Sequence, residues 1–166
     1  KNLAQFYLYW GTRQRKLLTS WVDAYIALSD FGKSKFAVAG LPREQIFVKP
    51  NFIDDPLIVN KQKPSTVGAI FVGRLSKEKG VDILIDAWRD IDYPLKIVGD
   101  GPLLAKLREK TTPRISFEGS LPHVDSLQQV SQSGFFMLPS VWYEGCPMTL
   151  IEAMALGKPV IASDLG

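Results

Sequence analysis

From Thr66 onward the chain repeats one unit: a short apolar run that ends on glycine or on Pro-Ser, then a stretch with helical spacing. Val67 to Val72 ends in Gly73, Leu95 to Val98 in Gly99-Asp100-Gly101, Ile115-Ser116-Phe117 in Gly119, and Phe135 to Leu138 in Pro139-Ser140. Pro159 to Ala162 forms a fifth run. The intervening segments predict helices over Val81–Trp88, with Ile83, Leu84, Ala87 and Trp88 on one side, and over Leu103–Lys110, with Pro102 in the first turn. They also predict helices over Val124–Gln132 and over Met148–Leu156, the last stopped by Gly157. Strands that alternate with helices pair in parallel through right-handed crossovers. Near-continuous apolar strands need both sheet faces covered. The expected fold is therefore α/β, a Rossmann-like parallel sheet with helices on both faces, whose ligands bind outside the carboxyl ends of the strands.

The rhythm before Thr66 is different. Residues 22–29 read as a buried strand, Phe31–Ala39 as a short helix capped by Asp30 or Ser29 and stopped by Gly40, and Ile46–Lys49 as a second strand. Pro50-Asn51, Asp54-Asp55-Pro56 and the polar stretch Asn60–Ser65 then break the pattern. The expected division is 1–55 as the last strand–helix–strand of a preceding domain, 56–65 as linker, and 66–166 as the ligand-binding domain. Lys1 stands where Met would, and Gly166 follows an apolar run as if inside a loop, so both ends are expected to be interior to a longer chain.

Composition narrows the class. Hydrophobic residues make up 46% and charged residues 22%, as in ordinary globular domains. No apolar run reaches the ~18–20 residues of a membrane span. No signal-peptide pattern opens the chain, and the single Cys146 forms no internal disulfide, so the expected location is cytoplasmic. The net charge of +3 suits a small anionic ligand, and no nucleic-acid motif accompanies it. Residues 1–22 carry Lys1, Arg13, Arg15 and Lys16 among Phe6, Tyr7, Tyr9, Trp10 and Trp21. A helix with one packed and one solvated face is the favoured reading, and peripheral contact with anionic lipid at a membrane face is the other.

Three segments carry candidate chemistry. The first is Glu144-Gly145-Cys146-Pro147-Met148-Thr149-Leu150-Ile151-Glu152. Pro147 suits a first helical turn because its missing N–H has no intrahelical acceptor there. The amides of Cys146, Met148 and Thr149 then open onto the rim as an anion site. Glu152 is a lone carboxylate in an apolar helix, costly to bury unless hydroxyls or cations satisfy it. A diol would do so; the alternative is that both glutamates only favour the helix dipole. The pair flanking Gly-x-Pro at a strand end favours a ligand.

The second segment is Gly73-Arg74-Leu75-Ser76-Lys77-Glu78-Lys79-Gly80, where Arg74 and Lys79 can clamp a diphosphate and stabilise it on leaving; Lys77 and Glu78 read as solvated. The third, Gly99-Asp100-Gly101-Pro102, lacks the third glycine of a dinucleotide fingerprint and reads as a tight turn lining the cleft. His123, the only histidine, falls in a polar loop after Pro122, and no cluster has metal-ligand spacing. Cys146 reads as a small residue rather than a reactive one, and Ser140 lacks the surroundings of a nucleophile.

Together these segments, with Phe71-Val72 before Gly73, Ile97-Val98 before Gly99, Pro139-Ser140, and Ala153-Met154-Ala155-Leu156-Gly157-Lys158-Pro159-Val160-Ile161, resemble family 4 retaining glycosyltransferases of GT-B fold. Ala27-Leu28-Ser29 and Lys49-Pro50-Asn51-Phe52 are similar to the segment before that family's interdomain linker. The resemblance implies that Arg74 and Lys79 bind the donor diphosphate, and that the amides after Gly145, from Cys146 through Pro147 and Met148 to Thr149, hold the distal phosphate and sugar. It further implies that Glu144 contacts the donor sugar, that Glu152 contacts the ribose, and that Ser120 and Leu121 lie near the base. Glu144, Arg74 and Lys79 are the expected catalytic set, with Gly73 at the donor.

The implied reaction moves a sugar from a UDP- or GDP-sugar to a polysaccharide or lipid-linked acceptor, with retention and with neither metal nor cofactor. Cys146-Pro147-Met148 replaces the commoner Phe-Gly-Leu type and leaves the sugar open. Little of the acceptor domain is represented, so the 166 residues alone are expected to turn over poorly. Other GT-B enzymes, such as a phosphorylase or a sugar-nucleotide epimerase, and a non-catalytic nucleotide-binding module are the alternatives.

Overall fold

The computed structural model describes residues 21–54 and 67–165. The basic aromatic stretch, apart from Trp21 and Val22, and the expected linker 56–65 lie outside the described residues. The chain divides into two compact units after Asn51.

In the first unit, β1 (Tyr25–Ala27) and β2 (Ile46–Val48) pair in parallel, with helix α1 (Asp30–Val38) between them in sequence. Ala27 and Ile46 are the buried ones among its described residues. The cap of α1 is Ser29, whose Oγ accepts the Gly32 amide at 3.1 Å. Asp30 is instead the first helical residue, where its charge favours the helix dipole.

The second unit contains β3 (Ala69–Val72), α2 (Val81–Ala87), β4 (Leu95–Val98), α3 (Leu104–Glu109), β5 (Ile115–Gly119), α4 (His123–Ser131), β6 (Phe135–Leu138), α5 (Met148–Ala155) and β7 (Val160–Ala162). Its five strands run parallel in the order β5-β4-β3-β6-β7. Alternate residues of β3, β4 and β6 feed two cores. Ala69, Phe71, Leu95, Ile97 and Met137 pack with Leu84, Ile85, Trp88 and Leu107 on one face. Ile70, Val98, Phe136 and Leu138 pack with Val130 and Ala153 on the other. The sheet is thus the Rossmann-like layer expected, with helices on both sides.

Several local expectations are corrected. The buried stripe of α2 is Val81, Leu84 and Ile85, continued by Trp88, while Ile83 and Ala87 are exposed. A stripe at i, i+3, i+4 and i+7 starts from Val81, the first helical residue, and Ile83 falls off it. The chain turns into a short 3₁₀ segment at Trp88–Asp90, and Trp88 Nε1 donates to the Tyr93 carbonyl at 2.7 Å. Pro102 lies in the turn before α3, because the Leu103 amide is drawn to the Leu75 carbonyl at 3.0 Å. Pro147 is likewise the cap of α5, with an extended ψ of 129°, and not a residue of its first turn. His123 begins α4 and does not sit in a loop: Pro122 before it is extended, as proline is at a helix entry.

Phe136 has 0% exposure at the centre of the second core. Phe136→Ala should lower unfolding free energy by about 3–5 kcal/mol, read as a lower urea midpoint at unchanged slope. An unchanged midpoint would show that this face contributes little.

Candidate functional site

The strand order sets the place. Successive crossovers run from β3 outward to β4 and β5, then return across β3 to β6 and β7. The helix after β3 packs on one face and the helix after β6 on the other. The carboxyl ends of β3 and β6 therefore border the switch point, where the two departing loops leave a crevice. These loops are the two richest in candidate residues.

Backbone contacts fasten them together. The Val141 amide donates to the Glu78 carbonyl at 3.0 Å. Gly80, at φ +64°, approaches so closely that a Cβ there would lie 1.9 Å from the Pro139 carbonyl oxygen. The β3 loop is also tied to the β4 loop: Leu75, fully buried, donates to the Asp100 carbonyl at 2.9 Å. A Cβ on Gly99 would meet the Gly73 carbonyl oxygen at 2.0 Å. Gly99-Asp100-Gly101 is thus a close-approach turn on the cleft wall, as its sequence suggested.

The sequence-predicted residues fall into distinct groups. Gly73, Arg74, Ser120 and Leu121 line one recess of about 290 Å³ with Val72, Val98, Gly99, Asp100 and Ser126. Arg74 is exposed on it and has no ion-pair partner among the described residues. Lys79 and Glu144, 65 positions apart, meet at the switch point with Nζ 2.7 Å from Oε1. Ser140 Oγ donates to the same carboxylate oxygen at 2.5 Å. Glu152 lies apart from both groups, its Oε1 2.7 Å from His123 Nε2.

At the start of α5, the Leu150 and Ile151 amides return to the Pro147 carbonyl at 3.1 and 3.3 Å. Met148 and Thr149 are the residues whose amides precede any intrahelical acceptor. Gly145 is exposed, and Cys146 and Pro147 are half-buried. A larger recess of about 410 Å³ opens at the other end of the strands, beside Gly68, Pro94, Lys96, Arg114 and Ser133. It touches none of the candidate residues, and ligands of parallel sheets bind at the carboxyl ends, so the smaller recess is the candidate.

Two electrostatic features frame the cluster. The Ser76 hydroxyl, 2.6 Å from Glu78 Oε1, holds that exposed carboxyl below its ordinary value, with the charges of Arg74 and Lys79 adding to the effect. Glu144 is confined by a buried hydroxyl and a cation on one oxygen, which leaves its orientation set before any ligand arrives. Ser140 and His123 are the residues that sequence reasoning missed. The place of Ser140 at a strand end, four residues before Glu144, was the available signal for it; for His123 there was none. No group of three His, Cys, Asp or Glu side chains is placed to hold a metal among the described residues. No described helix is long and apolar enough to cross a membrane.

A parallel sheet in this order, with cationic and acidic residues gathered at its switch point, defines a doubly wound α/β protein whose crevice lies at the carboxyl ends of the strands. The chain belongs to the glycosyl transferases group 1 family, whose model matches residues 66–166. Among curated relatives it is 34% identical over 102 residues to the D-rhamnosyltransferase WbpZ of Pseudomonas aeruginosa, covering 58% of this chain and 27% of that protein. It is 38% identical over 100 residues to the amylovoran biosynthesis glycosyltransferase AmsD of Erwinia amylovora, covering 56% and 28%.

Among solved structures, Anabaena HepE in complex with UDP-glucose superposes with a TM-score of 0.78 at 26% identity, covering 91% of this chain and 47% of that one. The pneumococcal O-GlcNAc transferase GtfA in complex with UDP and GlcNAc gives 0.74 at 26% identity, covering 98% and 33%. The fold is that of GT-B glycosyltransferases. The chain spans 28% and 27% of the length of two such curated relatives and under half of the solved neighbours.

Proposed function

We propose that the intact protein transfers a hexosyl group from a UDP- or GDP-sugar to a growing polysaccharide or lipid-linked acceptor, and that this chain supplies most of the donor site. The observation that carries the reading is the Lys79–Glu144–Ser140 cluster at the switch point, beside a recess lined by Arg74, Ser120 and Leu121. UDP in the HepE and GtfA complexes and amylovoran biosynthesis in the name of AmsD support it.

The base rests against Ser120 and Leu121, the ribose hydroxyls against Glu152, and the diphosphate between Arg74, Lys79 and the amides of Met148 and Thr149. Glu144 accepts hydrogen bonds from the sugar. The C1–O bond to the distal phosphate breaks, and the diphosphate keeps the electron pair. The acceptor oxygen bonds to C1 on the same face, and its proton passes to the departing phosphate oxygen. The anomeric configuration is retained.

In this reading two fixed cations and a helix start neutralise the leaving group without a metal or another cofactor. The reaction belongs on the cytoplasmic side, at the membrane face when the acceptor is lipid-linked. A donor screen on the intact protein with mass-spectrometric readout tests the reading. One UDP- or GDP-sugar should be consumed with an α-linked product from an α-linked donor, at a rate unaffected by EDTA. A β-linked product would overturn retention, and loss of rate in EDTA restored by Mn²⁺ would overturn the metal-free assignment. Absence of transfer from every donor, with no nucleotide binding at millimolar concentration, would overturn the function.

A further inference from the structure

His123 is the first residue of α4 and stands two positions after Leu121. Its side chain is 69% exposed, whereas the side chain of Glu152 on α5 is 12% exposed. Nε2 and Oε1 are 2.7 Å apart, so against a carboxylate this nitrogen must carry the proton. The two helices pack on the same sheet face, through Val130 and Ala153. A nearly buried carboxylate needs partners, and among the described residues His123 is the one that Glu152 has. The second oxygen accepts no hydrogen bond from the described residues. The segment from Gly119 to His123 thus joins two places: Ser120 and Leu121 on the recess wall, and the carboxylate on α5.

We propose that His123 is a positioning residue for the donor nucleoside: it fixes Glu152 so that the open carboxylate oxygen meets the ribose hydroxyls, and it ties that carboxylate to the loop that receives the base. The proposal rests on the reading of Glu152 as the ribose-binding group. A surface ion pair adds little to stability, so a purely structural role predicts almost no effect on ligand affinity when the imidazole is removed. A positioning role predicts an effect confined to nucleotides that carry the hydroxyls.

The experiment titrates the intact protein with UDP and with 2′,3′-dideoxy-UDP, or with the guanine pair when GDP is the nucleotide bound. Wild type, His123→Ala, His123→Gln and Glu152→Ala are compared. His123→Ala should weaken UDP roughly 5- to 10-fold, about the net weight of one typical hydrogen bond, and leave the dideoxy compound unchanged. His123→Gln places an amide N–H at similar reach and should recover most of the loss. Glu152→Ala should bind both nucleotides alike. If His123→Ala weakens both nucleotides equally, or neither, while Glu152→Ala affects UDP alone, the ribose reading stands and the positioning role is overturned. If Glu152→Ala leaves the preference for UDP over its dideoxy form intact, the ribose reading itself falls and the proposal falls with it.

Discussion

Lys79→Ala should lower turnover of the intact protein by about 10²–10³-fold if Lys79 faces the leaving diphosphate as proposed, the usual cost of losing one preorganised group that faces developing negative charge. Lys79 closes the short 3₁₀ turn Lys77–Lys79 and is followed by Gly80, whose left-handed backbone starts α2. This places the ammonium at the crevice between β3 and β6, 2.7 Å from Glu144. Removing it acts twice. In the proposed donor site the leaving diphosphate would lose a fixed cation; Glu144 would keep only the Ser140 hydroxyl among its described side-chain partners, a part-buried carboxylate beside the proposed polyanion.

Both effects grow as charge accumulates on the leaving group, so kcat should fall more than donor affinity. Arg74→Ala makes the contrast. Arg74 is exposed on the recess and pairs with no carboxylate among the described residues, so its loss should fall more evenly on binding. Lys79→Arg keeps the charge but substitutes a planar fork for a point charge, and should recover only part of the rate. A Lys79→Ala enzyme with normal kcat would mean that the pair with Glu144 is structural and that the switch-point cluster is not the donor site.

The parts of this arrangement that depend on local chemistry were legible in the residues. Leu95–Val98 and Phe135–Leu138 are strands with the expected bounds, because short, mostly apolar runs are bracketed by glycine or proline. The start of α5 at Met148 follows from Pro147, and Gly157 takes the positive φ of +68° that ends the helix region. The meeting of Lys79 with Glu144 was not legible. It requires β3 and β6 to be neighbours, and that adjacency comes from crossovers that skip back over β4 and β5. Periodicity reports which face a residue takes, not which strand lies beside it. The partner of Glu152 was hidden for a related reason. The need for a partner could be read from an acid in an apolar helix, but the partner lies 29 positions earlier, at the entrance to another helix. Proline before His123 signalled a break, when it marked a beginning.

Gly80→Ala should be the most damaging single methyl group that can be added near the site. At φ +64° a Cβ already carries a backbone penalty on the order of 1–2 kcal/mol. Here it would also lie 1.9 Å from the Pro139 carbonyl oxygen and 2.8 Å from its carbon, and neither atom belongs to a flexible side chain. To reach ordinary contact the β3 and β6 loops must part by more than an ångström. That separation breaks into the Val141–Glu78 backbone bond and moves Lys79, the preceding residue, away from Glu144. A 1 Å misplacement of reacting groups can cost about 10²-fold in rate. The variant should therefore lose both melting temperature and turnover.

Gly157→Ala separates strain from clash. Its φ of +68° is nearly the same, but nothing lies within 4 Å of the added Cβ. It should show the backbone penalty alone, a fall of several degrees in melting temperature with turnover intact. Equal losses of rate in the two variants would mean that the close approach of Gly80 to Pro139 does not hold the donor site together. A large excess loss in Gly80→Ala, recovered in neither donor affinity nor rate by added nucleotide, would locate the device in the contact between the two loops: one residue without a side chain brings a lysine after the third strand within hydrogen-bonding distance of a glutamate after the sixth.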